Sequence, residues 1–252
     1  SFTTSPVHNE EYFVKQAITL QQMGADVICI KDMANLLLPN EIYSLVTKLK
    51  EAVDIPLHLH THDTTGTGEM VYFAAAQAGV DIIDTALSPL ATGTSQPATE
   101  SLVAAFKGTP RDTGLDLSEL SKSASHFRGV AAKMESAGLI SSKALRVDPN
   151  TLIYQVPGGM LSNLISQLKQ ANAEDKYEQC LAEVPRVRKD FGYPPLVTPT
   201  SQIVGTQAVM NVLMGPYKVM TQDFRNLITG KFGKLPTDAD PELVAAALKQ
   251  NN

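Results

Sequence analysis

Three histidines stand at alternate positions in the segment His58-Leu59-His60-Thr61-His62. Because side chains alternate across a β-strand, a strand here would present all three imidazoles on one face. Neutral imidazole nitrogen is a frequent metal ligand, and two such rings can share one ion. The spacing therefore favours a metal site at a strand end, although ordinary polar residues at a strand edge would give the same pattern.

Lys31 is a second residue of chemical interest, because it follows the apolar run 27–30 directly. Its side chain either reaches solvent or enters a site. A lysine amine is an ammonium ion at neutral pH, so a role as metal ligand requires modification of the amine or loss of its proton. The spacing alone leaves both alternatives open.

The elements that would position these residues lie in the first part of the chain, up to about Gly108. Apolar runs of strand length alternate there with segments of helical period, which predicts βα units and parallel strands. Strands are predicted at 27–30, 57–60 and 81–85, with a strand end at 1–4. A half-buried helix beginning near Pro39 is predicted from the spacing of four apolar residues, Ile42, Leu45, Val46 and Leu49.

From about Leu115 the strand pattern gives way to helical stretches separated by segments rich in proline and glycine. The polar segment 110–116 is the predicted boundary. We expect residues 1–109 to form part of a parallel α/β domain and residues 110–252 a helical domain. Three strands are too few for a closed barrel of eight, and the chain starts without methionine, so we interpret it as a fragment.

The charge, hydropathy and cysteine content of the sequence exclude several classes of protein. A net charge of −5 and a pI near 5.5 argue against a nucleic-acid partner. No apolar run approaches the roughly 18 residues that a bilayer requires. Cys29 and Cys180 are the only cysteines, which is too few for a disulfide framework. We therefore expect a soluble protein in a reducing, cytoplasmic setting.

Seven segments are similar, in order, to the biotin-dependent carboxyltransferases. They are ICIKDMA, HLHTHDTTG, DIIDTALSP, GTSQPATE, YQVPGGMLSNL, PRVRKDFGYPPLVTPTSQIVGTQAV and GKFGKLP. That family includes pyruvate carboxylase, transcarboxylase and the alpha subunit of oxaloacetate decarboxylase, and the longest segment most resembles the last. The resemblance implies an α/β fold, namely the C-terminal half of a TIM (β/α)8 barrel followed by an α-helical funnel domain, with the first four strands absent from this chain.

The resemblance also implies a divalent metal, zinc or alternatively manganese or cobalt. Its ligands would be His60, His62, Lys31 as a carbamate, and an aspartate that has no counterpart in this chain. His58 is then expected to lie beside the ligand pair. Asn35 departs from the family pattern, because it stands where glycine is usual after KDMA.

The resemblance also implies that two residues of the longest segment take part in biotin chemistry. Thr198 would move a proton between biotin and the substrate methyl carbon, whereas its position alone suggests a helix cap. Ser201 would contact the biotin ring, and the structural alternative is again a helix cap. The biotin would be carried on another domain or chain, because an attachment motif of the AMKM type is missing.

We therefore predict the carboxyltransferase of a biotin-dependent oxaloacetate decarboxylase, which moves a carboxyl group between oxaloacetate or pyruvate and biotin. The alternatives are a carboxyltransferase of the pyruvate carboxylase type and a metal-dependent aldolase or Claisen-type lyase. A chain lacking four strands could also be inactive alone. The expected partners are a biotin carrier domain and a second copy in a homodimer, with membrane decarboxylase subunits as further candidates.

Overall fold

A computed structural model describes residues 2–140, 146–156 and 158–250. Contacts group the described residues into two compact units. The first unit contains Phe2 and the described part of Glu10–Leu152. The second contains Thr3–Asn9 and the described part of Ile153–Asn252. No helix in these described ranges is long and apolar enough to cross a membrane.

The helices and strands follow one another along the chain as the periodicity predicted. Up to residue 154 they are α1 (Glu10–Gln22), β1 (Ile28–Asp32), α2 (Pro39–Ala52), β2 (Leu57–Thr61), α3 (Gly68–Ala78), β3 (Ile82–Ile83), α4 (Thr99–Phe106), α5 (Leu117–Ser136) and α6 (Thr151–Tyr154). A 3₁₀ turn at Ser88–Leu90 lies between β3 and α4. The boundary predicted at residue 110 lies inside the first unit, between α4 and α5. The division into two domains at that point stays a prediction.

The three predicted strands form one parallel sheet in the order β1-β2-β3, which confirms the predicted α/β class. Residues 2–4 form no strand, although the backbone N–H of Phe2 donates to the carbonyl of Lys31 over 2.6 Å. One face of the sheet is apolar, because Ile28, Ile30, Leu57 and Leu59 are buried there. The core of the first unit combines this face with apolar residues of α2, α3 and α4.

Helix α2 packs against the sheet, and its sequence explains where the helix begins and which of its residues are buried. It starts at Pro39, where the missing N–H of proline costs no helical hydrogen bond. The Glu41 carboxylate accepts from the backbone N–H of Leu38 over 2.9 Å. The predicted stripe is confirmed, since the buried residues of the helix are Ile42, Leu45, Val46 and Leu49.

The second unit is helical. Its elements are α7 (Gly158–Gln170), a 3₁₀ turn at Glu174–Lys176, α8 (Tyr177–Asp190), α9 (Thr200–Met214), α10 (Gln222–Ile228) and α11 (Pro241–Gln250). Helix α9 is the central element, because apolar residues on several sides of it are buried and it packs on α7, α8 and α10. This unit holds Thr198 and Ser201 at the start of α9.

Candidate functional site

A row of polar side chains crosses the sheet on the face opposite its apolar core. Lys31 of β1 is paired in register with His60 of β2. The pairing of β2 with β3 ends at Leu59 and Ile83, so the next pair in register is His60 with Asp84. Side chains of paired residues on neighbouring strands point to the same face. The sheet therefore aligns an amine, an imidazole and a carboxylate on three adjacent strands.

Asp84 fixes the orientation of two of the three histidines. One carboxylate oxygen bonds to Nδ1 of His60 over 2.8 Å, and the other bonds to Nε2 of His58 over 2.8 Å. Burial acts to raise the pKa of Asp84, but hydrogen bonds from His60 and His58 outweigh it and hold that pKa below its usual value. When Nδ1 of His60 donates to this carboxylate, the lone pair of its Nε2 is left available for a ligand.

His62 lies one residue beyond β2, on the same side as His60. Its backbone N–H donates to the carbonyl of Asp32 over 3.2 Å, which continues the strand pairing, and the two rings are 5.3 Å apart between centroids. Burial lowers the pKa of His62, and the charges of His60 and Lys31 lower it further. Its imidazole is therefore neutral at pH 7, which is the form that binds metals.

The number of conventional ligands at this face is small. Within the described residues, no group of three or more His, Cys, Asp or Glu side chains is arranged to hold a metal. The two imidazoles that could share an ion are those of His60 and His62, and the neighbouring side chain in register is Lys31, which is exposed. A metal at this face thus needs a ligand of another kind as well.

Buried carboxylates hold the loops that follow the two strands. Asp32, at the end of β1, is fully buried and accepts the backbone N–H groups of Ala34 and Leu37 over 3.3 and 2.8 Å. Burial raises its pKa, and these hydrogen bonds partly oppose that. Asp63, which follows His62, accepts the N–H of Gly68 over 2.9 Å at the start of α3. Both strand ends are therefore anchored next to the polar row.

Asn35 connects these two loops. Its backbone φ is +53°, a conformation that glycine adopts freely and that asparagine tolerates better than other residues. Its side-chain oxygen accepts from the Thr65 hydroxyl over 2.5 Å and from the Thr67 hydroxyl over 3.2 Å. The departure from the glycine expected here thus keeps the backbone conformation and adds side-chain hydrogen bonds.

The second unit presents the threonine loop, residues 195–201. Thr198 is exposed, and its hydroxyl makes no hydrogen bond within the described part of the chain. The Thr200 hydroxyl donates to the carbonyls of Val197 and Pro195, at 2.7 Å for Val197. Ser201 is buried in the first turn of α9, whose N-cap is Pro199 without a side-chain cap bond. Neither Thr198 nor Ser201 is therefore the helix cap that position alone suggested.

Two family profiles match the chain, one on each part. The family described as HMGL-like matches residues 1–126, and the one described as "Conserved carboxylase domain" matches residues 151–252. The chain belongs to the biotin-dependent carboxyltransferase family.

Relatives of the chain support the same family assignment. The chain is 52% identical to a pyruvate carboxylase subunit of Methanocaldococcus jannaschii over 99% of its length and 44% of the relative. It is 46% identical to the methylmalonyl-CoA carboxyltransferase 5S subunit of Propionibacterium freudenreichii subsp. shermanii, over 99% of its length and 49% of the relative. The chain thus spans about half the length of these curated relatives.

A solved structure has the same fold as this chain. The carboxyl transferase domain of Rhizobium etli pyruvate carboxylase with pyruvate matches with a TM-score of 0.90 and 30% identity, over 98% of this chain and 44% of that one. The predicted TIM-barrel part followed by a helical part is thereby confirmed. The names of these relatives favour the pyruvate carboxylase type, given above as the alternative, over an oxaloacetate decarboxylase.

The candidate site contains one residue that was not predicted from the sequence. Asp84 holds His58 and His60, yet it was not among the predicted site residues. Period-two alternation in the strand predicted at 81–85 gives part of the signal, because it puts Asp84 on the face opposite Ile83, and the register with β2 then shows that this is the histidine face.

The hydrogen bonds of Asn35 give a prediction about the stability of the protein. We expect Asn35→Gly to lower the free energy of unfolding by about 0.5–1.5 kcal/mol, because the Asn35 side-chain oxygen that accepts from Thr65 and Thr67 is removed. The Thr65 hydroxyl keeps the backbone carbonyl of residue 35 and the Thr67 hydroxyl as partners. Asn35→Ala should lose about 1–2 kcal/mol more, because alanine is strained at this φ. Denaturant unfolding of the intact protein measures both. Equal losses for the two variants would contradict the strain, and an unchanged Asn35→Gly variant would contradict the role of the hydrogen bonds.

Proposed function

We propose that this chain contributes to carboxyl transfer between biotin and the pyruvate/oxaloacetate pair. The observation that carries the proposal is the row of Lys31, His60 and Asp84 with His62 beside it, in a chain that belongs to the biotin-dependent carboxyltransferases. The names of the relatives support pyruvate as the acid that gains the carboxyl group, as in a pyruvate carboxylase. An oxaloacetate decarboxylase catalyses the same carboxyl transfer in the opposite direction.

The residues of the polar row fit a divalent metal. His60 has Nδ1 bonded to Asp84 and Nε2 available, and the pKa of the partly buried His62 is lowered so that its ring is neutral. Lys31 would complete the set as a carbamate, because carbamylation replaces an ammonium cation with anionic oxygen. Zinc is the first candidate, and manganese or cobalt the alternatives. When bound, such an ion polarises the keto oxygen of the substrate and favours gain or loss of the neighbouring carboxyl group.

The protein groups around that ion have separate tasks. Asp84 keeps the His60 ring in one orientation and one tautomer, as a carboxylate bonded to a ligand histidine commonly does. His58 shares the same carboxylate and so acts on the row through Asp84. The buried Asp32 and Asp63 hold the loops at the ends of β1 and β2, which limits movement of the ligands.

Thr198 is proposed to carry the proton that the exchange requires. When pyruvate gains a carboxyl group its methyl carbon loses a proton, and the biotin nitrogen that gives up the carboxyl group gains one. A hydroxyl can accept the first while donating its own. The exposure of Thr198 and the lack of a competing bond among the described residues support this role. Ser201, three residues further on, is proposed to contact the biotin ring.

The partners follow from the same proposal. Biotin must reach the site on a carrier domain located on another domain or chain. A homodimer and association with membrane decarboxylase subunits are further proposals, and the second depends on the decarboxylase direction. Assay of biotin-dependent exchange between labelled pyruvate and oxaloacetate by the intact protein tests the reaction itself. Exchange that proceeds equally without biotin would contradict the proposal.

The metal assignment predicts the effect of removing single imidazoles. We expect His60→Ala and His62→Ala each to weaken metal binding by more than the 10–100-fold that loss of an orienting neighbour typically costs, because a direct ligand is lost. His58→Ala should stay within about that range. His126→Ala, an exposed histidine of α5, is the control. Metal titration of the purified intact protein measures all four. Unchanged binding in both ligand variants would refute the assignment, and a loss in His58→Ala alone would move the site along β2.

The proton-transfer role predicts a loss of turnover without a loss of structure. Thr198→Ala should reduce biotin-dependent oxaloacetate decarboxylation by about 10²–10⁴-fold, because the hydroxyl that relays the proton is gone. Thr198→Ser should keep measurable activity. Metal content and melting temperature should stay near those of the natural protein in both variants, because the side chain is exposed. Near-normal pyruvate release by the alanine variant would contradict the role.

A further inference from the structure

Arg188 is a buried cation for which the described residues supply no negative partner. It lies in α8 and is only 5% exposed. The ion pairs of the described residues do not include it, although Arg186 in the same helix pairs with Glu183 and Asp190. An unpaired charge in a protein interior is costly, so a buried arginine without an anion calls for an explanation.

Neutral groups hold the guanidinium in place. Its Nε donates to the Pro194 carbonyl over 3.2 Å, one terminal nitrogen to the Gln155 side-chain oxygen over 2.9 Å, and the other to the Thr3 hydroxyl over 2.6 Å. Burial lowers the pKa of Arg188 to about 10, so the side chain is still charged at pH 7. These three bonds use three of the five N–H donors of a guanidinium. The remaining two are on the terminal nitrogens.

A cavity of about 200 Å³ opens next to Arg188 within the second unit. Its wall combines polar groups of Thr4, Ser5, Gln155 and Tyr193 with apolar surface such as Ile153. The Thr4 hydroxyl is buried and lacks a hydrogen-bond partner in the described residues. The cavity is therefore lined by a charged side chain and by Thr4, whose hydroxyl has no partner among the described residues, and it has room for a small molecule.

We propose that this cavity is a binding site for a small oxyanion, either a carboxylate or a phosphate. The two N–H groups that the guanidinium has left can donate to oxygens of such a group, and in this proposal the Thr4 hydroxyl turns to it as a further donor. The bound anion would compensate the buried charge and replace the missing ion pair. None of the residues that line the cavity belongs to the metal row or to the threonine loop.

Ligand-dependent thermal unfolding of the intact protein tests the site. Sodium acetate and inorganic phosphate are the probes, each compared with sodium chloride at equal ionic strength. We expect acetate, phosphate or both to raise the melting temperature saturably, by at least about 2 °C beyond chloride. A rise with acetate alone identifies a carboxylate site, and a rise with phosphate alone identifies a phosphate site.

Variants connect the effect to this cavity. Arg188→Met should abolish the anion-dependent rise. Thr4→Val, which keeps the shape of the side chain, should weaken binding about 10–150-fold, because one hydrogen bond to a charged group is lost. Lys189→Gln is the control, since it removes one positive charge from an exposed position of the same helix, and its response should match the natural protein.

Two results would overturn the proposal. One is a melting temperature that responds no more to acetate or phosphate than to chloride, which would mean that water or another part of the protein satisfies Arg188. The other is an anion response that Arg188→Met and Thr4→Val both retain in full. If Arg188→Met does not fold, the comparison of Thr4→Val with Lys189→Gln by calorimetric titration decides the matter, and equal affinities in these two would also overturn it.

Discussion

The register between β1, β2 and β3 is the constraint on which the candidate metal site depends. Parallel pairing sets Lys31 beside His60, and the next position across the sheet is Asp84. A slip of one residue in β2 would turn the histidines to the apolar face and expose Leu57 and Leu59. The free energy that keeps the histidines together therefore comes largely from burying leucine and isoleucine on the other side of the sheet.

The polar face of the sheet depends on the buried apolar face for its stability, because the polar side chains make few interactions of their own. Asp84 holds two rings, and its pKa stays low because both donate to it, but its side chain remains 40% exposed, so solvent screens these contacts. The stronger anchors are the buried Asp32 and Asp63, which bind backbone N–H groups of the following loops. A rigid frame around a partly exposed row suits a site that must admit both metal and substrate.

Much of the candidate metal site and the sheet that carries it could be predicted from sequence. The parts that could not be predicted have one physical cause in common. Strands and the helix from Pro39 follow from local periodicity, and the histidine face follows from alternation. The role of Asp84 depends on pairing between segments 24 residues apart, so it needs the register as well as the pattern. Asn35 looked like a simple departure until its φ of +53° showed why glycine and asparagine both fit.

Two other features of the second unit, the start of α9 and the burial of Arg188, could not be predicted from the local sequence alone. The helix caps suggested for Thr198 and Ser201 fail because α9 begins at Thr200, whose own hydroxyl bonds back to the loop. Arg188 reads in sequence as one of a short basic cluster, yet the fold buries it while the neighbouring Lys189 stays exposed. Helical spacing does put Arg188 on the buried stripe of Leu181, Val184 and Val187, but a charged residue is normally exposed, so only the tertiary structure shows that its side chain is buried.

Anomalous diffraction from crystals of the intact protein, grown with zinc and bicarbonate, tests the central claim most directly. The account predicts a peak within bonding distance of His60 Nε2 and a ring nitrogen of His62, with added density on the Lys31 amine that contacts the ion. Data on both sides of the zinc edge identify the metal. A peak that lies away from these two rings, or a fully occupied peak beside an unmodified Lys31, would contradict the proposed ligand set.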